Sequence, residues 1–129
     1  MKIEHIAFWV KDLEMMRSFY ETYFDAISNE KYINPIKKFE SYFLSFENGS
    51  RLEIMFRPDI TEANNHNKVQ KLGLIHLAFS TGSKEKVNEL TERLRNDGFE
   101  IIGEPRTTGD GYYESVILDP ENNIIEITE

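Results

Sequence analysis

Apolar and polar positions alternate along Ile3 to Val10, so a strand there carries Ile3, His5, Ala7 and Trp9 on one face and Ile6, Phe8 and Val10 on the other. From Asp12, a fitting N-cap, Leu13, Met16, Phe19, Tyr20, Tyr23 and Phe24 recur at three- and four-residue spacing. That period predicts an amphipathic helix packed on the strand's second face. The order then returns. Leu74, His76, Ala78 and Ser80 alternate with Ile75, Leu77 and Phe79; Ser83 is the next N-cap; Val87, Leu90 and Leu94 form the stripe; and Gly98 ends the helix in a left-handed conformation. Aligning His5 with His76 also aligns Ala7 with Ala78 and Phe8 with Phe79, an offset of 71 residues that carries Asp12 onto Ser83.

Each half closes on a hairpin. Asn48-Gly49, between YFLSFE and RLEIMF, predicts a two-residue turn, because both positions tolerate positive φ. Asp119-Pro120-Glu121-Asn122 turns the chain at the corresponding place. A two-residue slip in these loops pairs Glu53 with Glu126. The expected fold is α+β: two strand–helix–strands modules of about residues 1–57 and 73–129, joined by a polar, Asn-rich linker at 58–72 with a short helical piece.

At 129 residues the chain has the size of one domain. Its 40% hydrophobic and 29% charged content is that of an ordinary globular protein. A net charge of −8, with basic residues scattered among acidic ones, excludes a surface built for nucleic acid. No apolar run approaches the ~20 residues of a spanning helix, and MKIEHIAFWV lacks a signal-peptide pattern, so no membrane partner and a cytoplasmic location are expected. The absence of cysteine leaves imidazole and carboxylate as the donors for any metal.

Four such donors stand at matching places. Period-two alternation sets Glu53 with Arg51 and Met55, away from Leu52, Ile54 and Phe56, and sets Glu126 opposite Ile125 and Ile127. His5, Glu53, His76 and Glu126 therefore all face away from the helix-packing side. A carboxylate on a half-buried strand costs several kcal/mol unless it is paired, protonated or bound to a cation. One divalent ion relieves that cost for both. Two imidazoles and two carboxylates suit Ni, Co, Zn, Mn or Fe(II) with positions left open for substrate. The competing reading is that both halves kept polar residues along a solvated groove.

The chain resembles the vicinal-oxygen-chelate (VOC) superfamily of glyoxalase I, bleomycin-binding proteins, fosfomycin-resistance proteins, extradiol dioxygenases and methylmalonyl-CoA epimerase. IEHIAFWVKDLEMMRSFY is similar to the family's opening strand and helix, LIHLAF to its second-repeat strand, and LDPENNIIEIT to its closing stretch. The resemblance implies two βαβββ modules forming a partly open barrel, the glyoxalase/bleomycin-resistance/dihydroxybiphenyl-dioxygenase fold, commonly in a homodimer. It also implies His5, Glu53, His76 and Glu126 as metal ligands, matching the His, Glu, His, Glu set of glyoxalase I.

Where bacterial glyoxalase I enzymes carry an Arg and an Asn that contact glutathione, this chain has Trp9 and Arg57, which argues against glutathione as carrier. Arg57 could recognise a carboxylate or phosphate through its planar fork. Tyr112, after a glycine-rich loop, is a further candidate at the site's mouth. His66 and Arg106 read as solvated surface. On this reading a small substrate chelates the metal through adjacent oxygens, the cation stabilises a developing enediolate, and Glu53 or Glu126 is the base. The expected activity is that of a glyoxalase-like, lactoylglutathione-lyase-like lyase or isomerase. The alternatives are a bleomycin-type ligand-binding protein without catalysis, a metal-dependent oxygenase, or an antibiotic-modifying transferase.

Overall fold

A computed structural model describes residues 1–61 and 72–129. His66 and most of the expected linker lie outside the described residues. The chain divides into two compact units, Met1–Asn65 and His66–Glu129. The first unit runs β1 (His5–Trp9), α1 (Leu13–Tyr23), β2 (Ile27–Ser28), β3 (Tyr32–Asn34), β4 (Phe39–Ser45) and β5 (Arg51–Phe56). The second runs β6 (His76–Ser80), α2 (Lys84–Asn96), β7 (Ile101–Thr107), β8 (Tyr113–Leu118) and β9 (Ile124–Thr128). In each, the first strand pairs in parallel with the last, giving the order β1-β5-β4-β2, with β3 on β4, and the order β6-β9-β8-β7. The second unit is βαβββ, and the first adds one short strand to that pattern.

Both helices start where side-chain caps end the search for backbone partners. Asp12 accepts from the Met15 amide at 2.9 Å, and Ser83 from the Lys86 amide at 3.3 Å. Their ends match as well. Gly98 takes φ +91°, while Asp25, at φ +52°, does the same for α1, a conformation that a short polar side chain tolerates better than a branched one.

On α1 the apolar stripe is buried at Leu13, Met16, Phe19 and Tyr20, against Leu44, Leu52 and Ile54 of the sheet. Each such side chain contributes roughly 1.5–3 kcal/mol by leaving water. On α2 the buried residues are Val87, Thr91 and Leu94, with Leu90 only half-buried. A polar residue thus occupies the stripe: the Thr91 hydroxyl lies 2.7 Å from that of Ser115 and donates to the Val87 carbonyl at 2.6 Å.

The turn at Asn48-Gly49 differs from expectation. A two-residue hairpin would pair Leu44 with Glu53, placing a helix-facing leucine opposite a residue of the other face. Instead Leu44 pairs with Leu52 and Phe43 with Glu53, and five residues, 46–50, make the connection. Because side chains alternate with period two, burial of Leu44, Leu52 and Ile54 sets the register and overrides local turn preference. Gly49 still supplies a positive φ, +93°. In the second unit the Asp119 carbonyl accepts from the Asn122 amide at 2.9 Å, closing the expected turn.

Candidate metal centre

The register places the donors. Ala7 pairs with Glu53, and Ala78 with Glu126, so in each sheet the histidine lies two residues before the alanine opposite the glutamate. Leu52, Ile54, Ile125 and Ile127 are buried on the helix side. The histidine and glutamate face the other way, with 16% and 22% exposure for the Glu53 and Glu126 side chains.

Within the first unit His5 Nε2 stands 3.9 Å from Glu53 Oε2; within the second, His76 Nδ1 stands 3.3 Å from Glu126 Oε1. Two ligands each about 2.1 Å from one cation are separated by about 3.0 to 4.2 Å, between right-angled and linear arrangements. Both pairs fall in that window, so each pair by itself has a spacing that fits two donors to one divalent ion. Among the described residues no group of three or more His, Cys, Asp or Glu is gathered for a metal. Each unit by itself brings together two of the four expected ligands.

Among the described residues neither Glu53 nor Glu126 is paired with a lysine or arginine. The described ion-pair neighbour of each half-buried glutamate is the imidazole of its own unit.

Sequence reasoning missed the surroundings of His5. The Glu4 carboxylate accepts from His5 Nδ1 at 2.5 Å and, through its other oxygen, from Arg51 Nε at 3.0 Å and from Arg51 Nη2. The hydrogen bond from His5, and then that from Arg51, hold the Glu4 carboxyl below its ordinary range. The Arg51 guanidinium lies over the Phe43 ring at 4.2 Å, and His5 meets the same ring edge-on at 5.3 Å. Strand alternation would send Glu4 to the opposite face from His5. The one available signal was adjacency to a candidate ligand.

The expected substrate residues are placed as follows. Trp9 shares the His5 face of β1, packs edge-on against Phe39 at 6.0 Å, and has the Arg57 guanidinium 5.5 Å from its ring. The Arg57 fork is already engaged by Asp59, at 2.6 Å from Nε and 3.0 Å from Nη2, beside an open cleft of about 680 Å³ that Lys37 and Lys38 also line. Tyr112 is exposed in the β7–β8 connection, which is pinned by Thr108 N to Tyr112 O at 2.8 Å and Gly111 N to Thr108 O at 3.0 Å. Arg106 reaches Glu114 at 3.5 Å.

With this geometry in hand, comparison with known proteins identifies the class. The profile of the Glyoxalase/Bleomycin resistance protein/Dioxygenase superfamily matches residues 2–127, and the chain belongs to that superfamily. It is 28% identical to the uncharacterized protein YqjT of Bacillus subtilis over 129 residues, covering 97% of this chain and 96% of that one. Its fold is similar to a glyoxalase family protein from Enterococcus faecalis, with TM-score 0.78 and 22% identity over 99% of this chain and 97% of the other. It is also similar to a glyoxalase I variant from Zea mays, with TM-score 0.77 and 21% identity; the match covers 98% of this chain but only 44% of the maize protein. The resemblance read from LIHLAF and LDPENNIIEIT therefore holds, and with it the fold class.

Proposed function

We propose that this chain is a divalent-metal-dependent, glyoxalase-like lyase or isomerase in which His5, Glu53, His76 and Glu126 hold one cation. The observation that carries the reading is the recurrence of the His–Glu pair at the same register in both units, at separations of 3.9 and 3.3 Å that suit shared ligation. A second occurrence at a chance surface position has no reason to keep the register. When bound, a Ni, Co, Zn, Mn or Fe(II) ion supplies Lewis-acid polarisation of a substrate's adjacent oxygens.

The protein's own residues supply the rest. Glu53 and Glu126, with no lysine or arginine partner among the described residues, are the candidate bases for a proton on carbon next to a carbonyl. Trp9 gives that face an aromatic wall two residues beyond Ala7, and Tyr112 is a second exposed aromatic group for the substrate. Arg57 recognises an anionic group only by exchanging Asp59 for it, so its preference for a charged substrate is weaker than a free fork would give.

The test is deuterium exchange at carbon, followed by NMR, for small α-oxo and α-hydroxy carbonyl compounds, free and as thiol adducts. Chelator-treated protein is compared before and after each metal is added. Exchange that depends on metal and falls by about 10²–10⁴-fold in Glu53→Gln or Glu126→Gln supports the reading. Metal uptake with no exchange on any compound would leave a ligand-binding protein without catalysis.

A further inference from the structure

The two units share a His–Glu pair but not its support, and the difference lies around His5. We propose that Glu4, braced by Arg51, is a positioning residue that holds His5 as the Nδ1–H tautomer and keeps Nε2 as the donor nitrogen facing Glu53. The proposal rests on the metal-centre reading for its purpose, though not for its geometry.

An unrestrained imidazole exchanges between two tautomers and rotates about its ring bond, and only some of those states present a lone pair to a cation. Here each Glu4 oxygen has a separate task. Oε2 accepts from His5 Nδ1 at 2.5 Å, and Oε1 accepts from Arg51, Nε at 3.0 Å. With Nδ1 donating, the lone pair falls on Nε2, the nitrogen 3.9 Å from Glu53. A carboxylate on the far nitrogen fixes tautomer and ring orientation, the usual support for a ligating histidine.

The brace is itself held. Arg51 lies over Phe43 at 4.2 Å, His5 meets that ring at 85°, and Phe43 pairs in register with Glu53. The Arg51 amide donates to the Glu4 carbonyl at 3.2 Å, tying the two residues through the backbone as well.

Among the described residues the second unit lacks this arrangement. Ile75 and Ile124 occupy the places of Glu4 and Arg51, Ile124 pairing with His76 as Arg51 pairs with His5. His76 turns Nδ1, rather than Nε2, toward its glutamate. His76 is therefore a control within the same molecule.

The experiment uses the full-length chain labelled with ¹⁵N. Long-range ¹H–¹⁵N spectra of the metal-free protein report the tautomer of each ring, and titration with Co(II) reports affinity. In the parent protein His5 should show a protonated Nδ1 and an unprotonated Nε2. Glu4→Ala should shift His5 toward the Nε2–H form, leave His76 unchanged, and weaken Co(II) binding by about 10 to 100-fold. Arg51→Met, which keeps the carboxylate but removes its brace, should fall between. An unchanged His5 tautomer in Glu4→Ala, or an equal change at His76, would overturn the proposal. If His5 responds as expected but the parent protein takes up no Co(II), positioning is upheld and the metal reading fails, so the two failures are separable.

Discussion

The buried hydroxyl pair between α2 and β8 offers a sharp test of how this sheet is held behind its glutamate. Thr91 and Ser115 are both fully buried, their oxygens are 2.7 Å apart, and Ser115 pairs in register with Ile127, the residue after Glu126. Thr91→Val keeps the shape but removes the hydroxyl. The Val87 carbonyl loses only a second donor, since the helix ladder still serves it. Ser115 loses its described side-chain partner, and an orphaned buried hydroxyl costs about 1–3 kcal/mol.

Ser115→Ala alone should cost less, about 0.5–1.5 kcal/mol, because Thr91 retains the Val87 carbonyl at 2.6 Å. The double variant should recover most of the Thr91→Val loss, as replacing both partners by apolar groups is nearly neutral. For a chain of this size 1 kcal/mol moves Tm by roughly 3–6 °C. Thr91→Val should therefore melt several degrees below the parent, with the double variant above it. The assay is a thermal and urea double-variant cycle. Additive losses, or a Thr91→Val as stable as the parent, would refute the reasoning.

Three further outcomes follow from local geometry. Asp119 accepts from the Glu121 and Asn123 amides at 2.9 and 2.8 Å and from the Asn123 side chain at 2.8 Å, so Asp119→Ala should cost about 2–3 kcal/mol in urea unfolding; a loss below 0.5 would contradict this. A Cβ at Gly103 would stand 3.0 Å from Val116 Cγ2, where β7 and β8 shift register, so Gly103→Ala should destabilise by about 1–3 kcal/mol, and an unchanged midpoint would be inconsistent with so close an approach. Lys31 hydrogen-bonds Glu40 and pairs with Glu14, and its hydrogen bond is the leading cause that lowers the Glu14 carboxyl. A depressed carboxyl stabilises the fold above its ordinary range and loses that contribution as pH falls through the lowered value. Lys31→Met should thus cost about 1 kcal/mol or less near pH 7, since Glu14 is half exposed, and the gap should close in acid as the carboxyl takes up its proton. A gap that widens in acid would reverse the sign.

Much of this was legible because the chain states it twice. The matching of His5, Ala7 and Phe8 with His76, Ala78 and Phe79, and of Asp12 with Ser83, carries the repeat, the caps and the matching positions of Glu53 and Glu126. What stayed hidden depends on contacts that no local period reports. The β4–β5 register answers to which face of Leu44 and Leu52 is buried, not to Asn48-Gly49. Thr91 joins an apolar stripe only because Ser115 meets it from β8, 24 residues away. Glu4 reaches round the strand end to its neighbour, against the alternation that a continuous strand would impose. β2 and β3, of two and three residues, are too short to carry a period and exist through their pairing with β4.

On the proposed reading, His5, Glu53, His76 and Glu126 hold one cation. Elemental analysis of protein purified without chelators, beside His5→Ala, His76→Ala, Glu53→Gln and Glu126→Gln, tests it most directly. The parent should hold near-stoichiometric Ni, Co, Zn, Mn or Fe, and variants of either unit should lose it. No metal in the parent even after addition, or loss in variants of one unit only, would contradict it.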